Sequence, residues 1–277
     1  MFRLKTPKPK RSYAISYGLA GFLLVAGISF LFVDSYTQHR ESQQSLTLHN
    51  QLSQLYYSNP TSPASIQPKA ADTQTDALPT SPLMPENTPA SIRDKIKSLT
   101  VVNKEIKGWL RVDGAGVDYP VVQHTDNDYY LHTDAAGKPS IYGSIFIDSR
   151  IDMNRPQRNI VIYGHNMIDG TMFGSLGNFK KESFYKEHHS IQLDLPDEVT
   201  NWEVFAVYTL DASQDTIEAS YDNDQAFLQA LHEYRQKSLY STKINPTAKE
   251  QIITLVTCSN ETDDTRLVVH AVKKKEP

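Results

Sequence analysis

Three residues whose side chains could carry out acyl transfer stand at the ends of predicted strands: Cys258, His165 and Arg266. Cys258 is the only cysteine of the chain, and it follows an apolar, β-branched run that begins at Ile252. Arg266 comes eight residues later and starts the next apolar run, while His165 follows a third run of this kind. Such runs favour β-strands. A hairpin-like return between the last two runs would bring the guanidinium towards the sulfur.

The chemistry that these residue types suggest is nucleophilic catalysis by a thiolate. An unperturbed thiol has a pKa of about 8.5, so it needs a nearby proton acceptor or positive charge to react well at neutral pH. His165 is the candidate proton acceptor, and Arg266 is the candidate cation. Taken singly, each residue has a simpler interpretation as a buried apolar cysteine, a surface or core histidine and a solvated arginine. Their conjunction at strand ends favours catalysis.

The first 33 residues predict a membrane anchor. Residues 1–13 carry five basic residues and no acidic residue, and residues 14–33 form a stretch of 20 residues without a charge, long enough to span a bilayer core. A cleaved signal peptide is the alternative, but no small-x-small cleavage site follows the apolar run before Asp34. The positive-inside rule then predicts a single-pass protein whose residues 1–13 are cytoplasmic and whose remaining domains are extracellular.

Charge and cysteine content restrict the class of the protein further. The formal net charge is −4, and it is −9 when the five N-terminal basic residues are set aside, which argues against nucleic-acid binding. A single cysteine forms no disulfide within the chain, and a glycan on the sequon Asn260-Glu261-Thr262 would block Cys258. Both features favour a bacterial cell surface, and we interpret the source as Gram-positive.

Neither a metal nor a cofactor is predicted. The sequence Glu187-His188-His189 contains metal-ligand residue types. However, adjacent histidines point apart on a strand or a helix, so a solvated loop is the favoured interpretation.

The chain after the anchor divides into a spacer and one larger domain. Residues 34–57 are polar with scattered leucines, which favours a helix continuing from the membrane. Residues 58–90 contain seven prolines and many Ser and Thr residues, a composition typical of an extended spacer. Residues 34–90 are therefore predicted to be an extracellular stalk without catalytic groups. Residues 91–277 are long enough for one catalytic domain with its own core.

Patterns within residues 91–277 predict eight strands and three helices. The strands are Trp109–Val112, Val117–Val122, Ser144–Asp148, Ile160–Tyr163, Ile191–Leu195, Trp202–Tyr208, Ile252–Val256 and Leu267–Val272. The helices are a short one capped by Ser91, a second at Phe173–Phe179, and a third at Asp224–Leu239 with helical apolar spacing. Eight short strands favour a mostly β fold with helical insertions, either a closed barrel or a sandwich.

Several motifs resemble the sortase family, and specifically its class B. They are Tyr163-Gly164-His165-Asn166-Met167, Thr257-Cys258-Ser259, Arg266 before Leu-Val-Val, Gly108-Trp109, Asp118-Tyr119-Pro120-Val121, Asn127 with Tyr129-Tyr130-Leu131, and Gly143 to Asp148. The likeness covers roughly residues 91–272. A long helix before the cysteine strand, here Asp224–Leu239, distinguishes class B from class A.

The resemblance implies an eight-stranded sortase-type β-barrel and a cysteine transpeptidase that uses Cys258, His165 and Arg266. Such enzymes cut a C-terminal sorting motif of a surface protein after its threonine, form a thioacyl intermediate, and pass the acyl group to an amine of peptidoglycan. Cys258 would attack the carbonyl, His165 would protonate the leaving amine, and Arg266 would bind the peptide backbone or the oxyanion.

The resemblance also implies a peptide groove lined by Asn127, Leu131, Tyr163 and Thr257, together with a face of the helix Asp224–Leu239. A turn asparagine and core apolar residues are the alternative interpretation. Some class B members have an acidic residue two positions after the cysteine, where this chain has Asn260. A carboxylate that orients His165 is therefore not expected at that position.

Two other functions stay open at this point. One is a class B enzyme that polymerises pilins and takes a pilin amine as its acceptor. The other is an inactive, membrane-anchored binding module whose barrel displays a groove, which the intact Cys258, His165 and Arg266 argue against.

Overall fold

The computed structural model describes residues 12–58, 89–258 and 265–274. Most of the predicted basic tail, the spacer from 59 to 88, and residues 259–264 with Asn260 and Glu261 lie outside the described residues. The chain divides into two compact units, and the boundary falls between Leu46 and Thr47. In the first unit the described residues belong to a helix, α1 (Ser12–Tyr57).

No helix of the described residues is both long enough and apolar enough to cross a membrane. The membrane anchor at residues 14–33 stays a prediction. The helix predicted at residues 34–57 is present, since α1 continues to Tyr57.

The second unit is an eight-stranded closed β-barrel with few helices. The strands are β1 (Ile106–Val112), β2 (Val117–Val122), β3 (Ile145–Ile147), β4 (Asn159–Gly164), β5 (Ser190–Leu195), β6 (Glu198–Asp211), β7 (Ile252–Cys258) and β8 (Thr265–Lys273). Their order around the barrel is β1-β2-β3-β4-β7-β8-β6-β5, and β5 pairs with β1 to close it. Each predicted strand corresponds to one of these. Because the sheet closes on itself, the fold is the predicted barrel and not the predicted sandwich.

The apolar runs at β4 and β7 are continuous because both faces of this part of the sheet are covered. These two strands pair in parallel. On the inner face, Ile253 and Leu255 join the main core of the barrel. On the outer face, Ile252 packs with Phe227 and Leu231 of a long helix, α4 (Asp224–Lys237). A sheet buried on both faces loses the apolar-polar alternation of a half-exposed strand.

The helices of the second unit lie outside the barrel. They are α2 (Pro89–Thr100), α3 (Glu182–Glu187) and α4 (Asp224–Lys237), with short 3-10 helices at Tyr129–Leu131 and Gly174–Lys180. The predicted cap at Ser91 is wrong, because α2 begins at Pro89 and Ser91 lies within its first turn. The helix predicted at Phe173–Phe179 is the second 3-10 helix. In α4, Asn223 supplies the N-cap by accepting a hydrogen bond from the Ala226 amide at 2.9 Å.

The last turns of α1 belong to the barrel unit, although the sequence pattern assigned them to a stalk. Leu52 and Tyr56 are each 1% exposed. The Tyr56 ring stacks on Trp109 with centroids 4.4 Å apart, and its hydroxyl donates to the buried carboxylate of Asp194. The next residue, Tyr57, donates to Asp118 Oδ1 at 2.8 Å. The barrel unit therefore begins at Thr47 rather than at Ser91.

A protein that begins at Ser91 should accordingly be less stable than one that begins at Thr47. Removing Leu52 and Tyr56 uncovers the Trp109 ring and takes a donor from Asp194, which should cost on the order of 4 kcal/mol in the free energy of unfolding. Urea unfolding of the two proteins measures this difference. In the longer protein, Tyr56→Ala should reproduce much of the loss and Leu55→Ala little of it, because Leu55 is 38% exposed. Equal unfolding free energies for the two lengths would contradict the docked role of α1.

A polar network is buried between the barrel and α4, with His270 at its centre. The Thr254 hydroxyl donates to Asn159 Oδ1 at 2.7 Å and lies 2.9 Å from His270 Nδ1, which must therefore carry the proton. His270 Nε2 then accepts from the Tyr208 hydroxyl at 3.0 Å, and the Tyr234 ring stacks on the imidazole at 4.0 Å. Burial lowers the pKa of His270 from 6.5 to about 3. The imidazole is thus neutral in the folded protein over the whole physiological range.

This lowered pKa predicts a loss of stability in acid. Below pH 6.5 the unfolded chain takes up a proton at His270, whereas the folded protein does so only near pH 3. The contribution of His270 is therefore complete above pH 6.5 and decreases by about 1.4 kcal/mol for each pH unit below it, or about 2 kcal/mol at pH 5. Urea unfolding at pH 7 and pH 5 should show a smaller difference for His270→Gln than for the wild type. The exposed His232 of α4 is the matched control, and equal slopes for His270→Gln and His232→Gln would contradict the prediction.

Candidate active site

The pairing of three strands brings the three candidate catalytic residues to one end of the barrel. In the parallel pair of β4 and β7, Gly164 is the partner of Thr257. The next residues are His165, which directly follows β4, and Cys258, which ends β7. On the other side of β7, Cys258 is the direct antiparallel partner of Arg266. The predicted positions at strand ends are confirmed.

The imidazole of His165 is held by a backbone carbonyl. His165 is half-buried, and its Nε2 lies 2.7 Å from the Leu131 oxygen. Because a carbonyl only accepts, Nε2 must carry a proton, and in the neutral ring the lone pair is on Nδ1. Leu131 was predicted from the family resemblance as a groove residue. The structure shows that its main chain contacts the candidate catalytic histidine.

Gly143 makes room for this arrangement. Its φ is +56°, in the region that favours glycine. A Cβ at this position would lie 2.6 Å and 2.7 Å from the carbonyl oxygens of Tyr130 and Leu131, and 3.0 Å from Cδ2 of His165. A larger residue would therefore displace either the carbonyl that binds His165 or the imidazole itself.

Arg266 is the second residue of β8 and is half-buried. Its backbone is fixed on both sides, since it pairs with Cys258 of β7 and with Leu210 of β6. Its Nη1 donates to the Thr265 carbonyl at 3.1 Å. The backbone of Arg266 is thus fixed on a paired strand next to the backbone of Cys258.

The other predicted groove residues make structural contacts. Asn127 Oδ1 accepts from the Ser149 amide at 2.7 Å, and the Tyr163 hydroxyl donates to Asp148 Oδ2 at 3.0 Å. Thr257 is 3% exposed, and its hydroxyl has no hydrogen-bond partner within the described residues. Their contacts with a peptide stay predictions.

The helix α4 does not present its apolar face to the candidate site. Phe227 and Leu231 pack against Ile252 and Val272, near the start of β7 and the end of β8. This is the end of the barrel opposite to Cys258. On this face of α4, Phe227 and Leu231 are therefore core residues, which was the alternative interpretation of the helix.

A buried ion pair that was not among the predicted site residues supports the end of β4. Asp148 is fully buried, and Arg150 binds both of its oxygens, with Nε 2.9 Å from Oδ1 and Nη2 2.7 Å from Oδ2. Burial alone would raise the pKa of Asp148, but the hydrogen bonds from Arg150 and Tyr163 hold it below its usual value. Since Tyr163 lies two residues before His165, this pair fixes the strand that delivers the histidine. The Asp-x-Arg spacing was the available signal.

The described residues contain no group of three or more His, Cys, Asp or Glu side chains that could hold a metal ion. His188 of the suspected pair instead lies 3.3 Å from Asp113 Oδ2.

Comparison with known proteins places this barrel in a family. The family model described as "Sortase domain" matches residues 110–274. Sortase B of Staphylococcus aureus is 35% identical over 182 residues, which cover 65% of this chain and 75% of the relative. Sortase B of Listeria monocytogenes is 36% identical over 179 residues, covering 64% of this chain and 72% of the relative.

Solved structures agree with the sequence comparison. A sortase B from Bacillus anthracis superposes with a TM-score of 0.70 at 32% identity, covering 86% of this chain and all of that one. A Staphylococcus aureus sortase B–substrate complex gives a TM-score of 0.63 at 35% identity, with 67% of this chain and 87% of that chain covered. The closed barrel, the strand-end cysteine, histidine and arginine, and these likenesses lead to one conclusion: the chain belongs to the sortase family of cysteine transpeptidases, in its class B.

Proposed function

We propose that the protein cleaves a C-terminal sorting motif of surface proteins through a thioacyl intermediate on Cys258 and transfers the acyl group to an amine of peptidoglycan. The observation that carries the proposal is the register of β4, β7 and β8, which brings the backbones of Cys258, His165 and Arg266 to one edge of the barrel. A nucleophile, a proton carrier and a fixed cation are the groups that acyl transfer requires.

The first half of the proposed reaction forms a thioester. The Cys258 thiol first gives its proton to His165 Nδ1. The resulting thiolate attacks the carbonyl carbon of the threonine, and the oxygen becomes an oxyanion that Arg266 can bind through its guanidinium. The C–N bond then breaks, and the leaving amine takes a proton from His165. Since Nε2–H is bound to the Leu131 carbonyl, Nδ1 is the nitrogen that exchanges this proton.

The second half releases the product. An incoming amine attacks the thioester carbon while His165 Nδ1 accepts its proton. The C–S bond breaks and returns the thiolate. The same imidazole nitrogen thus serves as acid in one half and as base in the other, and no net proton change occurs on the enzyme.

The proposed place of action is the outside of a Gram-positive cell, with the anchor at residues 14–33 in the membrane. The curated relatives named above come from Staphylococcus and Listeria, and both are sortases B. The proposed donors are surface proteins with a C-terminal sorting signal, which reach Cys258 past Asn127 and Leu131. Neither a nucleic acid nor a cofactor takes part in this scheme.

A peptide library tests the proposal. Its members share a threonine at the acyl position and vary at the flanking positions, and they are incubated with the full-length protein in detergent, with and without a peptidoglycan-type amine such as a short glycine peptide. We expect cleavage after threonine and an amine-linked product, both identified by mass spectrometry. The same library with valine in place of threonine is the control. No cleavage above this control would favour the inactive binding module, and transfer to a pilin lysine peptide alone would favour the polymerase.

A further inference from the structure

The loop that follows His165 is a tightly closed hairpin. The Phe173 amide donates to the carbonyl of His165 at 2.9 Å, and Asn166 forms an isolated antiparallel bridge with Met172. At the tip, Asp169 Oδ1 accepts from the amide of Thr171 at 3.0 Å and from its hydroxyl at 2.6 Å. The loop is therefore closed on itself, and its closing hydrogen bond is made by the carbonyl of His165.

The side chain of Tyr142, from another segment, forms a hydrogen bond with the tip of this loop. The Tyr142 hydroxyl donates to Asp169 Oδ2 at 3.1 Å. Tyr142 is 6% exposed and belongs to the main core of the barrel, so its own position is fixed by packing. Asp169 keeps its negative charge: partial burial would raise its pKa, but the hydrogen bonds from Thr171 and Tyr142 hold it below its usual value.

The segment that carries Tyr142 also forms the wall against the imidazole. Gly143, the next residue, lies against Cδ2 of His165. Ser144 N donates to the carbonyl of Tyr130 at 2.9 Å, next to the Leu131 carbonyl that binds Nε2. The imidazole thus lies against the wall, and the hydrogen bond from Tyr142 to Asp169 joins the loop of His165 to the same segment.

We propose that Tyr142 and Asp169 are positioning residues for His165, because their hydrogen bond holds the His165 loop against the wall, which in turn lies against the Leu131 carbonyl. The proposal rests on the proposed function, in which His165 transfers protons through Nδ1. Without the bond the tip at Asp169 loses its link to the wall, while the Met172 amide still donates to the Tyr119 hydroxyl at 3.3 Å. The Nε2 to carbonyl contact then lengthens, and the ring populates orientations in which Nδ1 no longer faces the reacting amine. Neither residue needs to touch the peptide.

The kinetic test uses conservative substitutions and the library-selected peptide. Tyr142→Phe removes only the hydroxyl, and Asp169→Ala removes the acceptor; each should lower kcat about tenfold with KM nearly unchanged, since misplacing a catalytic group by a fraction of an ångström to an ångström has effects of this size. Asp169→Asn keeps an acceptor oxygen and should stay within about threefold of wild type. The double variant Tyr142→Phe, Asp169→Ala should be no slower than either single variant, because both remove the same bond.

The matched control is Tyr221→Phe. Its hydroxyl also belongs to a hydrogen-bonded network, with Tyr234 at 3.0 Å and Asn159 at 3.3 Å, but that network lies at the start of β4, at the opposite end of the barrel. A change in kcat as large as that of Tyr142→Phe would show that any loss of a buried hydroxyl slows the enzyme, and would overturn the proposal. So would a Tyr142→Phe variant with wild-type kcat.

A spectroscopic readout separates this inference from the proposed function. Nitrogen-15 NMR of the histidine-labelled full-length protein reports which imidazole nitrogen carries the proton, and His165→Gln identifies the His165 signals among the nine histidines. In the wild type the neutral imidazole should be a single Nε2–H tautomer, and in Tyr142→Phe it should be a mixture. If the wild type fails to process any peptide, the proposed function is wrong. The spectra of the wild type and Tyr142→Phe still show in that case whether Tyr142 positions His165. Identical spectra for the two proteins would contradict it.

Discussion

Cys258→Ala is expected to abolish peptide cleavage and amine transfer, with a loss of at least about 10⁴-fold in kcat/KM. In the proposed mechanism the sulfur is the atom that bonds to the substrate, and alanine offers no nucleophile in its place. The fold should be nearly unaffected, because Cys258 ends β7 and its backbone hydrogen bonds to β8 do not involve the sulfur. The peptide-library assay measures the activity, and urea unfolding measures the stability.

The matched control for Cys258→Ala lies two residues earlier on the same strand. Val256 is 2% exposed and belongs to the main core, so Val256→Ala should destabilise the protein by about 1–2 kcal/mol. It should nonetheless keep most of the activity. If Cys258→Ala retained appreciable cleavage, Cys258 would not be the nucleophile and the proposed mechanism would be wrong.

Arg266→Lys is expected to lower turnover on the order of a hundredfold, although the charge is kept. A guanidinium presents a planar fork of donors to two acceptors at once, whereas an ammonium is a compact charge on a stem of different reach. The loss of one such donor to an oxyanion typically costs a hundredfold or more. The direction of the Arg266 side chain can matter because its backbone is fixed by pairing with Cys258 on one side and Leu210 on the other.

Steady-state cleavage and amine transfer by the wild type, Arg266→Lys and Arg266→Ala measure this effect, with circular dichroism as the check on folding. Arg93→Lys is the control for a change of this kind at an exposed ion pair, since the Arg93 side chain is 66% exposed beside Asp197. It should leave activity unchanged. If Arg266→Lys stays within a few-fold of wild type, Arg266 acts through its charge alone.

The strands could be predicted from the sequence because most are short runs rich in β-branched and aromatic residues. Their pairing could not, since the partnership of Gly164 with Thr257 joins residues far apart in the chain and follows from the packing of the whole barrel. The family resemblance supplied the expectation that Cys258, His165 and Arg266 act together. The register shows how their backbones come to one edge.

Two features of the structure were not predicted correctly from the sequence, and the reason can be given for each. The Leu131 carbonyl that binds His165 has no sequence signal, because every residue carries a carbonyl. The docking of α1 did have one: Leu48, Leu52 and Tyr56 recur every four residues, which is one face of a helix. The polar surroundings of this stripe led to its assignment as a stalk, whereas the structure buries Leu52 and Tyr56 against the barrel.

Detection of the thioester on Cys258 is the most direct test of the proposed mechanism. Full-length wild type is mixed with the threonine peptide library without any added amine, quenched in acid, and weighed by intact-protein mass spectrometry. We expect a mass increase equal to the acyl half of a library peptide, located at Cys258, removed by hydroxylamine and absent from Cys258→Ala. Peptide cleavage by the wild type without such an adduct, or the same adduct on Cys258→Ala, would contradict it.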